Sequence, residues 1–202
     1  MTDPLRRTDL APDPLTQFGA WFETARAAAI PEPEAMALAS ATPAGAPSLR
    51  MVLLKAYDER GFTFFTNYAS RKGGELSDNP QAALLFHWQQ LGRQLRIEGR
   101  VERVPRDETE AYARSRSRGS QLSALASPQS QPIPDRAWLE QRVAELADAA
   151  PQQLPVGESW GGFRVVPHRY EFWQHGSDRL HDRFLYRPAP TGVGWTLERL
   201  AP

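Results

Sequence analysis

Tyr112, Arg116 and Ser120 are spaced by four residues and overlap the stretch RSRSRGSQ at 114–121. On one continuing helix they form a stripe that offers a phenol, a guanidinium and a hydroxyl to a single anion. If Gly119 stops the helix instead, Ser120 caps the next one, SQLSALA, and that helix N-terminus is itself an anion site. Either arrangement suits a monophosphate. Alternating arginine and serine also has the look of an RNA-binding tail. Lysine plus arginine (24) only balance aspartate plus glutamate (24), however, and nonspecific nucleic-acid binding rests on an excess of positive charge. The small phosphate is the better reading.

Three further clusters point to anions. In YASRKGGEL, Arg71 and Lys72 fall in the first turn of a helix, where the macrodipole disfavours each cation by about 0.3 to 1 kcal/mol; a bound anion reverses that sign. Lys72 and Lys55 are also the only two lysines among the 24 cationic residues, and a compact ammonium among arginines fits a point-charge task. In LRMVLLK, Arg50 and Lys55 lie on opposite faces of a strand, which implies two anions rather than one. In EFWQHGSDRLHDRFLY, a regular strand projects Arg179, His181 and Arg183 from one face, with Trp173 nearby across the HGSD turn.

The elements that must hold these groups can be read from periodicity. Residues 1–12 are polar and proline-punctuated and are expected to form a mobile arm, followed by a single domain over 13–202. Asp13 and Pro14 start a helix carrying Phe18, Trp21, Phe22 and Ala25 to about Ala29. AMALASAT, LRMVLLKAYD and GFTFFTN read as strands of an antiparallel meander. Ser70 caps a helix ending near Asn79, and QAALLFHW and RQLRIEGRVERV follow as strands. A helix is expected from Pro105 to about Arg118, and another over DRAWLEQRVAELADAA with Trp138, Leu139, Val143 and Leu146 as a core stripe. GGFRVVP, RYEFWQ, RLHDRFLY and GWTLERL return the chain to strands. The pattern is an α+β domain around a small antiparallel barrel.

Composition narrows the chemistry. With no cysteine there are no disulfides, thiolate nucleophiles or cysteine-ligated metals. The four histidines, at 87, 168, 175 and 181, lack metal-ligand spacing, so no metal is expected. No dinucleotide fingerprint, Walker loop or nucleophile elbow is present. No apolar run approaches the length of a membrane span, and the start has no signal-peptide core, so a cytoplasmic protein is the expectation.

Taken together, RMVLLK, FFTNYASRK, LGRQLRIEG, SQLSALASPQS, WGGFRV and FWQHGSDRLHDRFLY resemble the pyridoxamine 5'-phosphate oxidase family over nearly the whole chain. The resemblance implies an FMN-binding split β-barrel, antiparallel and Greek-key-like with flanking helices, and a homodimer with FMN at the subunit interface. It implies oxidation of pyridoxamine 5'-phosphate and pyridoxine 5'-phosphate to pyridoxal 5'-phosphate by hydride loss to the flavin, with oxygen reduced to hydrogen peroxide. Motif by motif, the FMN contacts fall on Arg50, Met51, Val52, Leu53, Leu54 and Lys55, on Phe65 and Thr66, and on Arg71 and Lys72. Gln94, Gln129, Ser130, Trp173 and Arg183 complete them. Substrate contacts fall on Lys55, Tyr112, Arg116 and Ser120 around the phosphate, and on Arg179, Leu180 and His181 beside the pyridine ring, with Arg179 and His181 as the catalytic pair. Ser117, Leu125 and His175 depart from the family's usual proline, tryptophan and glycine.

Overall fold

The computed structural model describes residues 3–150 and 152–202. Helix α1 (Pro14–Ala27) starts where Asp13 accepts a hydrogen bond from the Thr16 amide at 2.7 Å, with Pro14 in the first turn. Strands β1 (Ala35–Ala41), β2 (Pro47–Leu53), β3 (Ala56–Asp58) and β4 (Gly61–Asn67) follow, then helix α2 (Arg71–Asp78) and strands β5 (Gln81–Trp88) and β6 (Arg93–Arg103). Helices α3 (Arg106–Ser115), α4 (Arg118–Ala126) and α5 (Arg136–Ala149) precede β7 (Trp160–Gln174), β8 (Asp182–Pro188) and β9 (Trp195–Leu200). The fold is α+β, as the sequence pattern predicts.

All pairings are antiparallel, in the order β2-β1-β5-β6-β7-β4-β3, with β8 and β9 added beside β7. The first half of β7 pairs with β4 and its second half with β8, while β6 runs along its other edge. A register shift at Glu98/Gly99 lies opposite His168, the extra residue on β7, and such a bulge bends a long strand pair. Gly99 permits it, because a Cβ there would press into the Val166 backbone. The sheet thus curls into a half-barrel.

Phe18 of α1 plugs the concave side. It is fully buried, with ring centroids 4.7 Å from Tyr57, 4.9 Å from Phe62 and 5.3 Å from Phe86. Leu38, Leu84, Ile97 and Phe172 bury the inward face of successive strands; each such side chain contributes roughly 1.5–3 kcal/mol. The outward face of β2, β1 and β5 stays open, with Leu49 at 69% and Met51 at 63% exposure.

Several expectations are corrected. Residues 3–11 are held down rather than free: Leu5 and Leu10 are buried, the Leu5 amide donates to Asp182 at 2.8 Å, and Tyr186 donates to the Ala11 carbonyl at 2.7 Å. The strand expected over LRMVLLKAYD is two strands, broken at Leu54 and Lys55. GGFRVVP and RYEFWQ are one strand. The α5 stripe of Trp138, Leu139, Val143 and Leu146 is only half-buried, so it packs on α4 without entering the core.

Candidate active site

One cavity of about 700 Å³ collects most of the residues that the first three clusters singled out. Met51, Val52 and Leu53 at the end of β2 reach it, as do Lys55 just beyond, Phe65 and Thr66 of β4, and Lys72 of α2. Tyr112 of α3, Arg116, Ser120 of α4, and Gln129 close the other side. Its described lining has three cations and no carboxylate. A concavity charged in that way concentrates anions.

The helix expected over 105–118 is in fact interrupted. Arg116 is extended (φ −75°, ψ 152°), and Ser117 caps α4 by accepting the Ser120 amide at 3.3 Å. Tyr112, Arg116 and Ser120 therefore share no helical stripe, and Ser120 is not the cap; the interruption brings all three to the cavity wall from two helices and the link between them. Gly119 lies inside α4.

Lys72 joins this cavity to a charge cluster. Lys72 Nζ reaches Thr66 Oγ1 at 3.1 Å and Gln129 Oε1 at 3.0 Å, and no salt bridge among the described residues involves it. Burial, and then the nearby Arg50 charge, push its ammonium below the usual lysine range. Arg50 and Arg71 do not line the cavity; both are tied to Glu75, at 3.2 Å and 2.8 Å. Burial opposes ionisation of Glu75, but hydrogen bonds from Ser40, Ser48, Arg71 and Arg50 outweigh it and hold its carboxyl at about 2. Leu54 faces the core. Ser130 is exposed beside Gln129 with φ 71°.

The remaining predicted residues lie elsewhere. Gln94 and Trp173 line a separate hollow of about 660 Å³, while Leu180 and His181 line another of about 980 Å³ with Asp3, Pro4 and residues 199–202. Neither shares a lining residue with the first cavity. Arg179, His181 and Arg183 are not a strand stripe: Ser177–Arg179 form a turn, and β8 begins only at Asp182. Asp178 (φ 53°) and Arg179 (φ 65°) both take left-handed backbone, a strain of order 1–3 kcal/mol each that gathers at functional loops. Trp173 does lie beside His181, with ring centroids 4.6 Å apart, and opposite Arg183 in the sheet register. The Gly176 amide donates to His181 Nδ1 at 3.2 Å, so neutral His181 carries its proton on Nε2. Arg183 is spent on Glu171 at 2.8 Å.

Sequence reasoning missed Trp160 as a site residue. Its ring is stacked with Phe65 at 5.4 Å and lies parallel to Tyr112 at 6.2 Å, and Arg116 sits 5.0 Å over its face. The clue available was only the WGGFRV motif, because this contact joins residues far apart in the chain.

The curled antiparallel sheet with its flanking helices defines a split-barrel protein. A pyridoxamine 5'-phosphate oxidase-related, FMN-binding protein from Nostoc punctiforme shares the fold at 16% identity, with a TM-score of 0.76 over 96% of this chain and 100% of that one. Residues 22–149 match the pyridoxamine 5'-phosphate oxidase family, and residues 160–202 match the pyridoxine 5'-phosphate oxidase C-terminal dimerisation region. The chain belongs to the pyridoxamine 5'-phosphate oxidase family. A pyridoxine/pyridoxamine 5'-phosphate oxidase of Cupriavidus taiwanensis is 54% identical, over 98% of this chain and 93% of its own length. PhzG from Burkholderia lata 383, solved with tetrahydrophenazine-1-carboxylic acid, superposes with a TM-score of 0.92 at 35% identity, over 100% of this chain and 99% of that one.

Proposed function

We propose that the protein oxidises pyridoxamine 5'-phosphate and pyridoxine 5'-phosphate to pyridoxal 5'-phosphate with FMN as cofactor, oxygen being reduced to hydrogen peroxide and the amine route also consuming water and releasing ammonia. The observation that carries this reading is the cavity with three cations and no acid in its described lining. Lys72 in particular is a half-buried ammonium whose described partners are neutral oxygens, and a phosphate monoester supplies the missing charge. The names of relatives at 54% identity support the same reaction.

On one protomer, FMN would be held by Met51, Val52, Leu53, Lys55, Phe65, Thr66, Lys72, Gln129 and Ser130, with Arg50 and Arg71 adding charge from the Glu75 cluster and Leu54 anchoring the segment in the core. Gln94, Trp173 and Arg183 would come from a second copy, since on one chain they line no part of the cavity. The match to a dimerisation region and the open apolar face at Leu49 and Met51 support a homodimer with the site at its interface. When bound, FMN supplies a ring that accepts a hydride and passes electrons to oxygen. The chain's own residues bind and orient. Lys55, Tyr112, Arg116 and Ser120 take the vitamer phosphate, each charge-assisted contact contributing about 1.5–3 kcal/mol. Arg179, Leu180 and His181 of the second copy border the pyridine ring, where His181 offers an N–H from Nε2.

The test is peroxide formation by FMN-loaded protein supplied with each phosphorylated vitamer, with unphosphorylated pyridoxine as control. Peroxide from the phosphorylated pair alone supports the proposal. The PhzG structure supports a second reading, oxidation of a reduced tricyclic carboxylate, because a cationic cavity also accepts a carboxylate. Turnover of tetrahydrophenazine-1-carboxylic acid with no turnover of the vitamers would replace the first reading with the second.

A further inference from the structure

We propose that Trp160 is the positioning residue that aims Arg116 at the substrate phosphate. The inference rests on the proposed function and adds a residue to it.

Arg116 is the one cavity cation carried on a link between two helices; its amide donates to the Ala113 carbonyl of α3 at 3.3 Å and its carbonyl accepts from Gln121 Nε2 of α4 at 2.8 Å, so the backbone is held while the side chain is left to other partners. No salt bridge among the described residues holds its guanidinium. Its group instead lies over the Trp160 ring, 5.0 Å from the centroid, within the range in which an aromatic face attracts a cation. Such a support holds a guanidinium without neutralising it, and the planar face leaves the in-plane N–H donors free for a phosphate. A carboxylate in the same place would compete with the ligand.

Trp160 is itself rigid. It is 8% exposed, opens β7 opposite Asn67 of β4, and stacks on Phe65 at an interplanar angle of 13°. Phe65 in turn stacks on Tyr112 at 4.0 Å. The rings therefore join a strand of the barrel to both Tyr112 and Arg116, so the helix link sets the Arg116 backbone and the sheet, through Trp160, sets its guanidinium.

The test compares wild type, W160F, W160L, R116A and the double variant W160L/R116A, all loaded with FMN. Equilibrium binding of pyridoxal 5'-phosphate and steady-state kinetics with pyridoxine 5'-phosphate are read side by side. W160L is expected to weaken binding and raise KM about tenfold, the scale of one desolvated cation–π contact, with kcat and FMN affinity within about twofold of wild type. W160F keeps an aromatic face and should recover most of the loss. In the R116A background W160L should add little, because the two residues act through one contact. Full additivity in the double variant, or an unchanged W160L affinity, would overturn the inference and leave the oxidase function standing. Wild type that binds pyridoxal 5'-phosphate yet oxidises neither vitamer would overturn the function, while the binding series still decides the role of Trp160. No binding by wild type would overturn both.

Discussion

The carboxylate of Glu75 accepts a hydrogen bond from Arg71 Nε at 2.8 Å and with its other oxygen meets Arg50 Nη2 at 3.2 Å, although Glu75 is 6% exposed. One buried acid thus orders two guanidiniums from different elements, a strand and a helix. With Lys72 beside them the group carries three positive charges and one negative, an excess that matches a phosphate dianion.

Glu75→Gln is expected to lower unfolding free energy near neutral pH by about 1.5–3 kcal/mol, the value of hydrogen bonds to a charged group, and to weaken FMN binding more than riboflavin binding. Because the folded carboxyl titrates at about 2 against an ordinary 4.5, its stabilisation is present above pH 4.5 and is lost as pH falls toward 2. Urea titrations of both proteins across that window should converge in acid. A constant difference at every pH would show that Glu75 acts through packing rather than charge.

Lys72 has the opposite sign. Its folded ammonium is penalised by burial, so the apoprotein bears a cost below the folded value that is relieved as pH rises toward 10.5. Lys72→Met should therefore leave the apoprotein at least as stable at pH 7 while weakening FMN roughly tenfold to a hundredfold, as loss of one charge-assisted contact implies. Thermal melts and flavin-fluorescence titrations check both halves. A destabilised apoprotein with unchanged FMN affinity would make Lys72 structural.

Arg116→Ala and Arg179→Ala should separate binding from turnover. The first is expected to raise KM for pyridoxine 5'-phosphate roughly tenfold to a hundredfold and to retain FMN; the second should lower kcat with FMN retained. Loss of flavin from R116A would move Arg116 to the cofactor, and an unchanged kcat in R179A would remove that strained loop from the reaction.

Mixing two defective proteins tests the two-copy site. With pyridoxine 5'-phosphate held near the wild-type KM, well below the raised KM of R116A, R116A silences the cavity, and Trp173→Ala the hollow that holds Gln94. Reassociated equal mixtures should recover about a quarter of wild-type activity, because half the dimers are mixed and each holds one intact site of two. Activity no higher than either parent, with subunit exchange shown by mass, would place the whole site on one chain.

Much of the fold was legible because strand alternation is a local signal: RQLRIEGRVER buries Leu95, Ile97 and Val101 as the pattern requires. Asp13 and Ser70 announced their helices because a cap acts within three residues. The interruption at Arg116 was hidden, since Ser117 and Ser120 both fit a cap and only the folded backbone chooses between them. The turn at Ser177–Arg179 was hidden for another reason: two consecutive non-glycine residues in left-handed backbone contradict local preference. Trp160 and the half-buried stripe of α5 depend on distant partners, which periodicity does not report.

The central claim is that phosphate-anchored vitamers give up a hydride to a flavin held in this cavity. Mixing FMN-loaded protein with pyridoxamine 5'-phosphate in the absence of oxygen, and following the flavin's visible absorbance, tests it most directly. Bleaching by the phosphorylated vitamer and not by pyridoxamine is the predicted result. An absorbance unchanged by either, or lost equally to both, would contradict the account.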